Sequence, residues 1–82
     1  MKVRIIANPV AGGGRGRRMA ESLRDLLEGK VGDVDLVLTK QAGDNEPEAA
    51  KPGADIVVAV GGDGSVNEVV NGLKNSDAAL AI

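Results

Sequence analysis

The chain has 82 residues, room for one small domain at most, and 43% of them are hydrophobic. It holds no Phe, Tyr, Trp, His or Cys, which excludes a disulfide framework, thiolate or His-based nucleophilic catalysis, a His/Cys zinc site and base stacking on aromatic rings. Ten basic and twelve acidic residues leave a net charge of −2, neither a nucleic-acid coat nor a polyacidic tail.

The core must come from Val, Leu, Ile, Ala and Met. Small domains bury a modest fraction of their surface, and aromatic side chains are the largest contributors to burial. Their absence points to a chain that is part of something larger. "MKVRIIA" is too short for a signal-peptide core, and no apolar run reaches membrane length, so a soluble, cytoplasmic protein is the default expectation.

Lys2 to Ala7, rich in β-branched residues and ended by Asn8-Pro9, reads as a strand. "NPVAGGGRG" reads as a loop. A helix is expected from about Arg15 to Lys30, with Met19, Leu23, Leu26 and Leu27 on one face and Gly29 and Gly32 bracketing its end. Val34 to Thr39 reads as a second strand. In the polar stretch that follows, a short helix can start with Asp44 or Asn45 as cap and Pro47 in its first turn, but cannot run past Lys51 into Pro52. Asp55 to Val60 is apolar without alternation, hence a strand buried on both faces. A third helix is expected from Ser65 to about Lys74, with Val66, Val69, Val70 and Leu73 on one face, and a fourth strand from Ala78 to Ile82.

This alternation of strand and helix implies an α/β fold: a parallel sheet with helices on both faces, three layers in all. Ligands on such sheets bind at the carboxyl ends of strands, where the strand order switches direction. Both Gly-rich loops follow strands. Bringing them to one ligand makes the first and third strands neighbours, in the order 2-1-3-4.

A phosphate approached by backbone N–H groups needs residues without a Cβ in the way and a helix start behind them. Gly61, Gly62 and Gly64 meet the first need. Ser65 meets the second, as a cap or as a hydroxyl donor. Arg15, Arg17 and Arg18 open the first helix, where the helix dipole disfavours positive charge; a bound polyphosphate would offset that. Asp63 beside phosphates has a task if it meets a divalent metal, a ribose hydroxyl or a substrate hydroxyl that must lose a proton. Plainer explanations exist for each: Asp63 as a turn-former, the arginines as a solvated face, Asn67 and Glu68 as ordinary first-turn residues. Neither GxxxxGK[ST] nor an in-register GxGxxG is present around the first loop.

Together, "NPVAGGGRG", Thr39 at the end of the second strand and "GGDGSVNEVVNGL" resemble the diacylglycerol kinase catalytic domain, a family that includes bacterial lipid kinases and sphingosine kinases and is related in fold to NAD kinases. The resemblance covers essentially the whole chain. It implies the nucleotide-binding, Rossmann-like N-terminal portion, residues 1–82, of an enzyme that transfers the γ-phosphate of ATP to a lipid hydroxyl with Mg2+. Asn8, Pro9 and Gly12 would then shape the first phosphate loop and Thr39 would approach the nucleotide. Gly61, Gly62, Asp63, Gly64, Ser65, Asn67 and Glu68 would form the main ATP-binding turn, with Asp63 catalytic. The family usually has Thr at the position of Ser65, and either hydroxyl can donate to phosphate. The Asn-Glu-Val at 67–69 favours the lipid-kinase branch over NAD kinase.

The segment between Thr39 and Asp55 is about one helical turn shorter than usual for that family, and its two prolines are expected to disrupt the second helix. The resemblance also implies a further Gly-Thr loop and a β-rich domain beyond this chain, carrying the catalytic base and the metal ligands. The implied partners are a nucleotide and a lipid met at the membrane surface, with no nucleic acid, and the isolated chain is expected to be poorly stable, to self-associate as a homo-oligomer or to occur only as part of a larger protein. The alternatives are an NAD kinase-like fragment and a nucleotide-binding module without catalysis.

Overall fold

The computed structural model of the chain describes residues 1–9, 13–41, 43–74 and 76–81. Its elements alternate without exception: β1 (Lys2–Ala7), α1 (Arg15–Val31), β2 (Asp33–Leu38), α2 (Asn45–Ala50), β3 (Ile56–Val60), α3 (Asp63–Gly72) and β4 (Ala79–Ala81). All three strand pairs are parallel and the order is β2-β1-β3-β4, as the glycine-loop argument requires.

β1 is the central strand. Its residues alternate between two apolar layers. Val3, Ile5 and Ala7 pack with Val58 and Ala20 under α1, while Ile6 packs with Val57, Ala59, Ala49 and Val69 under α2 and α3. Ile5, Ile6, Val57 and Val69 are fully buried, and each contributes about 1.5–3 kcal/mol of burial free energy. With no aromatic ring available, the helices must approach closely. In α3 that approach is made by Gly72, where a Cβ would lie 2.8 Å from Ala49 Cβ of α2.

α1 departs from the expected stripe. Leu23 and Leu27 pack on the sheet with Ala20 and Val31, but Met19 and Leu26 are 61% and 59% exposed. On a helical wheel Met19 and Leu26 share one flank, about 40° or more from Leu23. Met19, with Leu23, Val58, Val60 and Gly61, lines a groove beside β3. One helix cannot cover four strands. It covers β1 and β2, and the α1 side of β4 and of the ends of β3 stays open. The middle of β3, Val57 to Ala59, is buried on both faces as expected, and only the ends of the strand, Ile56 and Val60, are partly exposed.

α2 survives its prolines because of where they stand. Pro47 is in the first turn, where its missing N–H costs no helical hydrogen bond. Lys51 takes an extended conformation ahead of Pro52, and the helix stops. The six-residue helix is pinned at its end by Arg4 of β1, which is 5% exposed. The Arg4 guanidinium donates to the carbonyls of Lys51 at 2.7 Å and of Glu48 and Pro52 at 3.3 Å, and its Nε lies 3.6 Å from Asp35. A cation is the charge that a helix C-terminus favours.

Candidate functional site

The sheet register brings the ends of three strands level: Ala7 pairs with Leu38 on one side and Val60 on the other. The next residues, Asn8, Thr39 and Gly61, therefore stand side by side along the carboxyl edge. Asn8 N–H donates to Val60 O at 3.2 Å, and Thr39 donates to Ala7 O from its N–H at 2.9 Å and from Oγ1 at 3.3 Å. From this edge the chain leaves β1 for α1 on one face and β3 for α3 on the other, which is the switch point of the strand order.

At Gly61 the backbone turns against its neighbours. A Cβ there would lie 2.8 Å from Ser65 Oγ and 4.0 Å from Asn8 Cβ. The first and second glycine loops thus meet at this residue. α3 begins at Asp63, two residues earlier than the expected start, and its cap is Gly62 rather than Ser65. Ser65 is the third helical residue, folded back on Gly61. The first intrahelical bond runs from Val66 N–H to Gly62 O at 3.1 Å. The N–H groups of Asp63, Gly64 and Ser65 therefore have no carbonyl of their own helix to meet.

Gly62 and Gly64 differ from Gly61. Neither has a positive φ, and a Cβ on either would meet no protein atom within 4 Å. Folding does not call for glycine at these two positions. In the first turn of a helix Gly64 even costs stability, up to about 1 kcal/mol against Ala.

Asp63 is exposed and meets no hydrogen-bond or ion-pair partner among the described residues. Among the described residues no group of three His, Cys, Asp or Glu side chains gathers closely enough to hold a metal ion. Mg2+ commonly takes only one or two carboxylates together with substrate phosphates, so such a cluster is not required of a nucleotide-bound ion. Asn67 is exposed one turn below Asp63 on the same side of α3, whereas Glu68 is turned about 100° away. The Glu68 carboxylate accepts from Gly43 N–H at 3.1 Å, Asn45 N–H at 3.2 Å and Asn45 Nδ2 at 3.0 Å. Pro9 is half-buried beside Asn8, and Gly12 lies outside the described residues. Of the arginines that open α1, Arg17 pairs with Glu21 at 3.5 Å, as a solvated face would, while Arg15 and Arg18 are exposed.

Beside Thr39 a cleft of about 280 Å³ opens between β2 and α2, lined by Leu38, Thr39, Lys40, Asp44 and Pro47 among others. Asp44, expected as a side-chain cap of α2, faces the other way. Its Oδ2 accepts from Lys40 N–H at 3.0 Å and Gln41 N–H at 3.1 Å and closes the loop after β2. The supports at Arg4, Asn45 and Gly72 were not apparent as such in the sequence. Only Asn45 carried any local signal, as a potential cap.

The model of the diacylglycerol kinase catalytic domain matches residues 2–82. A diacylglycerol kinase of Staphylococcus saprophyticus is 35% identical over 75 residues, 88% of this chain and 25% of its own length. One of Staphylococcus haemolyticus is 38% identical over 73 residues, 85% of this chain and 22% of its own. The crystal structure of a diacylglycerol kinase from Bacillus anthracis superposes with a TM-score of 0.79 at 30% identity, over 96% of this chain and 30% of that one. The chain thus spans about a quarter of the length of the curated relatives it matches. A level row of strand ends, two glycine loops meeting at Gly61, and a match along nearly every residue converge: this chain belongs to the diacylglycerol kinase catalytic domain family.

Proposed function

We propose that this chain is the nucleotide-binding portion of an ATP-dependent lipid kinase acting on diacylglycerol or a similar lipid alcohol. The observation that carries the reading is the pair Gly62 and Gly64. The fold gives neither a reason to be glycine, and a phosphate chain seated on the start of α3 gives both one, because only a residue without Cβ lets the backbone N–H groups approach closely.

In this reading the β- and γ-phosphates of ATP meet the N–H groups of Asp63, Gly64 and Ser65 and the Ser65 hydroxyl. Asn8 and Pro9 shape the opposite wall, and Thr39 and Asn67 border the nucleotide. A bond forms from the lipid oxygen to the γ-phosphorus as the bond to the β–γ bridging oxygen breaks; ADP leaves, and the proton of the lipid hydroxyl goes to a base that the family resemblance places beyond this chain. Asp63 serves the reacting end, as the carboxylate facing a hydroxyl of the substrates. Such transfer depends on positioning and charge neutralisation. A divalent cation supplies part of that neutralisation when bound, and by family resemblance its ligands come chiefly from elsewhere in the protein. Among the described residues no helix is long and apolar enough to cross a membrane. By family resemblance the lipid is met at the membrane surface, by a cytoplasmic protein.

The test is an ATP titration of the intact protein and of the Gly62→Val, Gly64→Val double variant. A Cβ at either position has open space, so the variant folds. Its ATP affinity should fall at least about tenfold, or about 1.4 kcal/mol. Equal affinities reject the site. ATP binding without turnover on any lipid would instead support the non-catalytic module.

A further inference from the structure

Family resemblance puts Glu68 among the nucleotide contacts, next to Asn67. The helix separates the two. Asn67 shares a side with Asp63, whereas Glu68 and Gly72, four residues apart, form the side of α3 that meets α2. Both Glu68 oxygens are engaged there, by the N–H groups of Gly43 and Asn45 and by the Asn45 amide. Asn45 is 4% exposed and is the first residue of α2. The N-terminal cap of α2 therefore comes from another helix. A carboxylate suits that place, because it accepts charge-assisted hydrogen bonds at the positive end of the α2 dipole. Asp44 leaves the position to it by turning back onto Lys40 and Gln41.

We propose that Glu68 is a positioning residue that does not touch the nucleotide. Its carboxylate fastens the segment from Thr39 to Asn45 to the helix that carries the glycine turn. Two separate borders of the ligand, Thr39 with its adjacent cleft and Gly62 to Ser65, are thereby held at one separation. Thr39 is anchored to Ala7 O at its own end, and Glu68 anchors the other end of the segment. The nucleotide part of this inference rests on the ATP-site reading; the tether itself does not.

The experiment uses Glu68→Gln in the intact protein, with hydrogen exchange and ATP kinetics measured together. The Gln side chain keeps one accepting oxygen and sets an NH2 donor where the second oxygen now meets an N–H. Amide exchange in residues 40–45 should accelerate about tenfold, the size expected for one lost charge-assisted bond. The KM for ATP should rise by a similar factor while kcat stays within about threefold, as for lost binding rather than lost chemistry. Asn45→Ala removes one of the three donors and should move both readouts in the same direction. Combined with Glu68→Gln it should add less than the sum, because the two residues share one interaction. Unchanged exchange at 40–45 in Glu68→Gln overturns the tether. A collapse of kcat with exchange and KM unchanged overturns it too, and assigns Glu68 to the reacting groups. If the wild-type protein binds no ATP while exchange still accelerates, the nucleotide role falls and the tether alone stands.

Discussion

Asp63 occupies the first position of α3, where any helix welcomes a negative charge. That preference is enough to account for an ordinary Asp, so stability and activity must be read separately. Asp63→Asn should cost only about 0.3–1 kcal/mol, the worth of a charge at a helix terminus. In a lipid phosphorylation assay with the intact protein it should lower turnover by about 100-fold or more, the range of a lost electrostatic contact at the reacting groups. Near-normal turnover would reduce Asp63 to a helix-start residue. At this scale the sequence names its candidates by residue type along a few positions: the glycines, Asp63, the hydroxyl of Ser65. It was silent on direction. Ser65 was expected as a cap and is instead folded against Gly61. Glu68 follows Asn67 in the chain and points to another helix. Adjacent residues of a helix leave it about 100° apart, and what each one meets is set by neighbouring elements that the local sequence does not show.

The second helix shows how little an element owes to its own residues. Six residues do not make a stable helix in water. This one is held from outside, by Glu68 at its start, Gly72 along its side and Arg4 at its end. Arg4→Met should therefore destabilise the intact protein by about 1–3 kcal/mol in urea or thermal unfolding, because part-buried carbonyls lose their charged donor. A loss under about 0.5 kcal/mol, the usual range for surface changes, would show that water replaces the guanidinium there. Strands β1 and β3 and the order of all the elements were legible from local pattern, since burial on both faces leaves an unbroken apolar run. The stripe on α1 was only half legible. Met19 and Leu26 are apolar at the right spacing, yet what covers a flank of a helix is decided by the sheet beneath it, and β4 lies too far from α1 to be covered. The anchors of α2 were not legible at all, because the carbonyls that Arg4 binds are 44–48 residues away in the chain.

Across the whole molecule the two faces are unequal. α2 and α3 share one, and α1 alone serves the other, where Met1, Leu23, Leu27, Val31, Ile56 and Ala81 border an open apolar groove. Leu80, on the opposite face of the short edge strand β4, is also exposed. Apolar surface beside an open strand edge invites association. Prepared by itself, the 82-residue chain should scatter light as an oligomer and unfold at a temperature that depends on concentration. A monomeric mass with a concentration-independent transition would mean that α1 shields the sheet well enough alone. The parallel topology has one more consequence, which concerns time rather than shape. β1 precedes every other element and is also the centre of the sheet, while its partners begin at residues 33 and 56. No hairpin can form anywhere in this chain, and each strand pairing must close a long loop first. As the polypeptide emerges during synthesis, one edge of β1 waits for β2 and the other waits longer still for β3. Ile5 and Ile6 of β1, both fully buried in the end, thus spend longest without their neighbours.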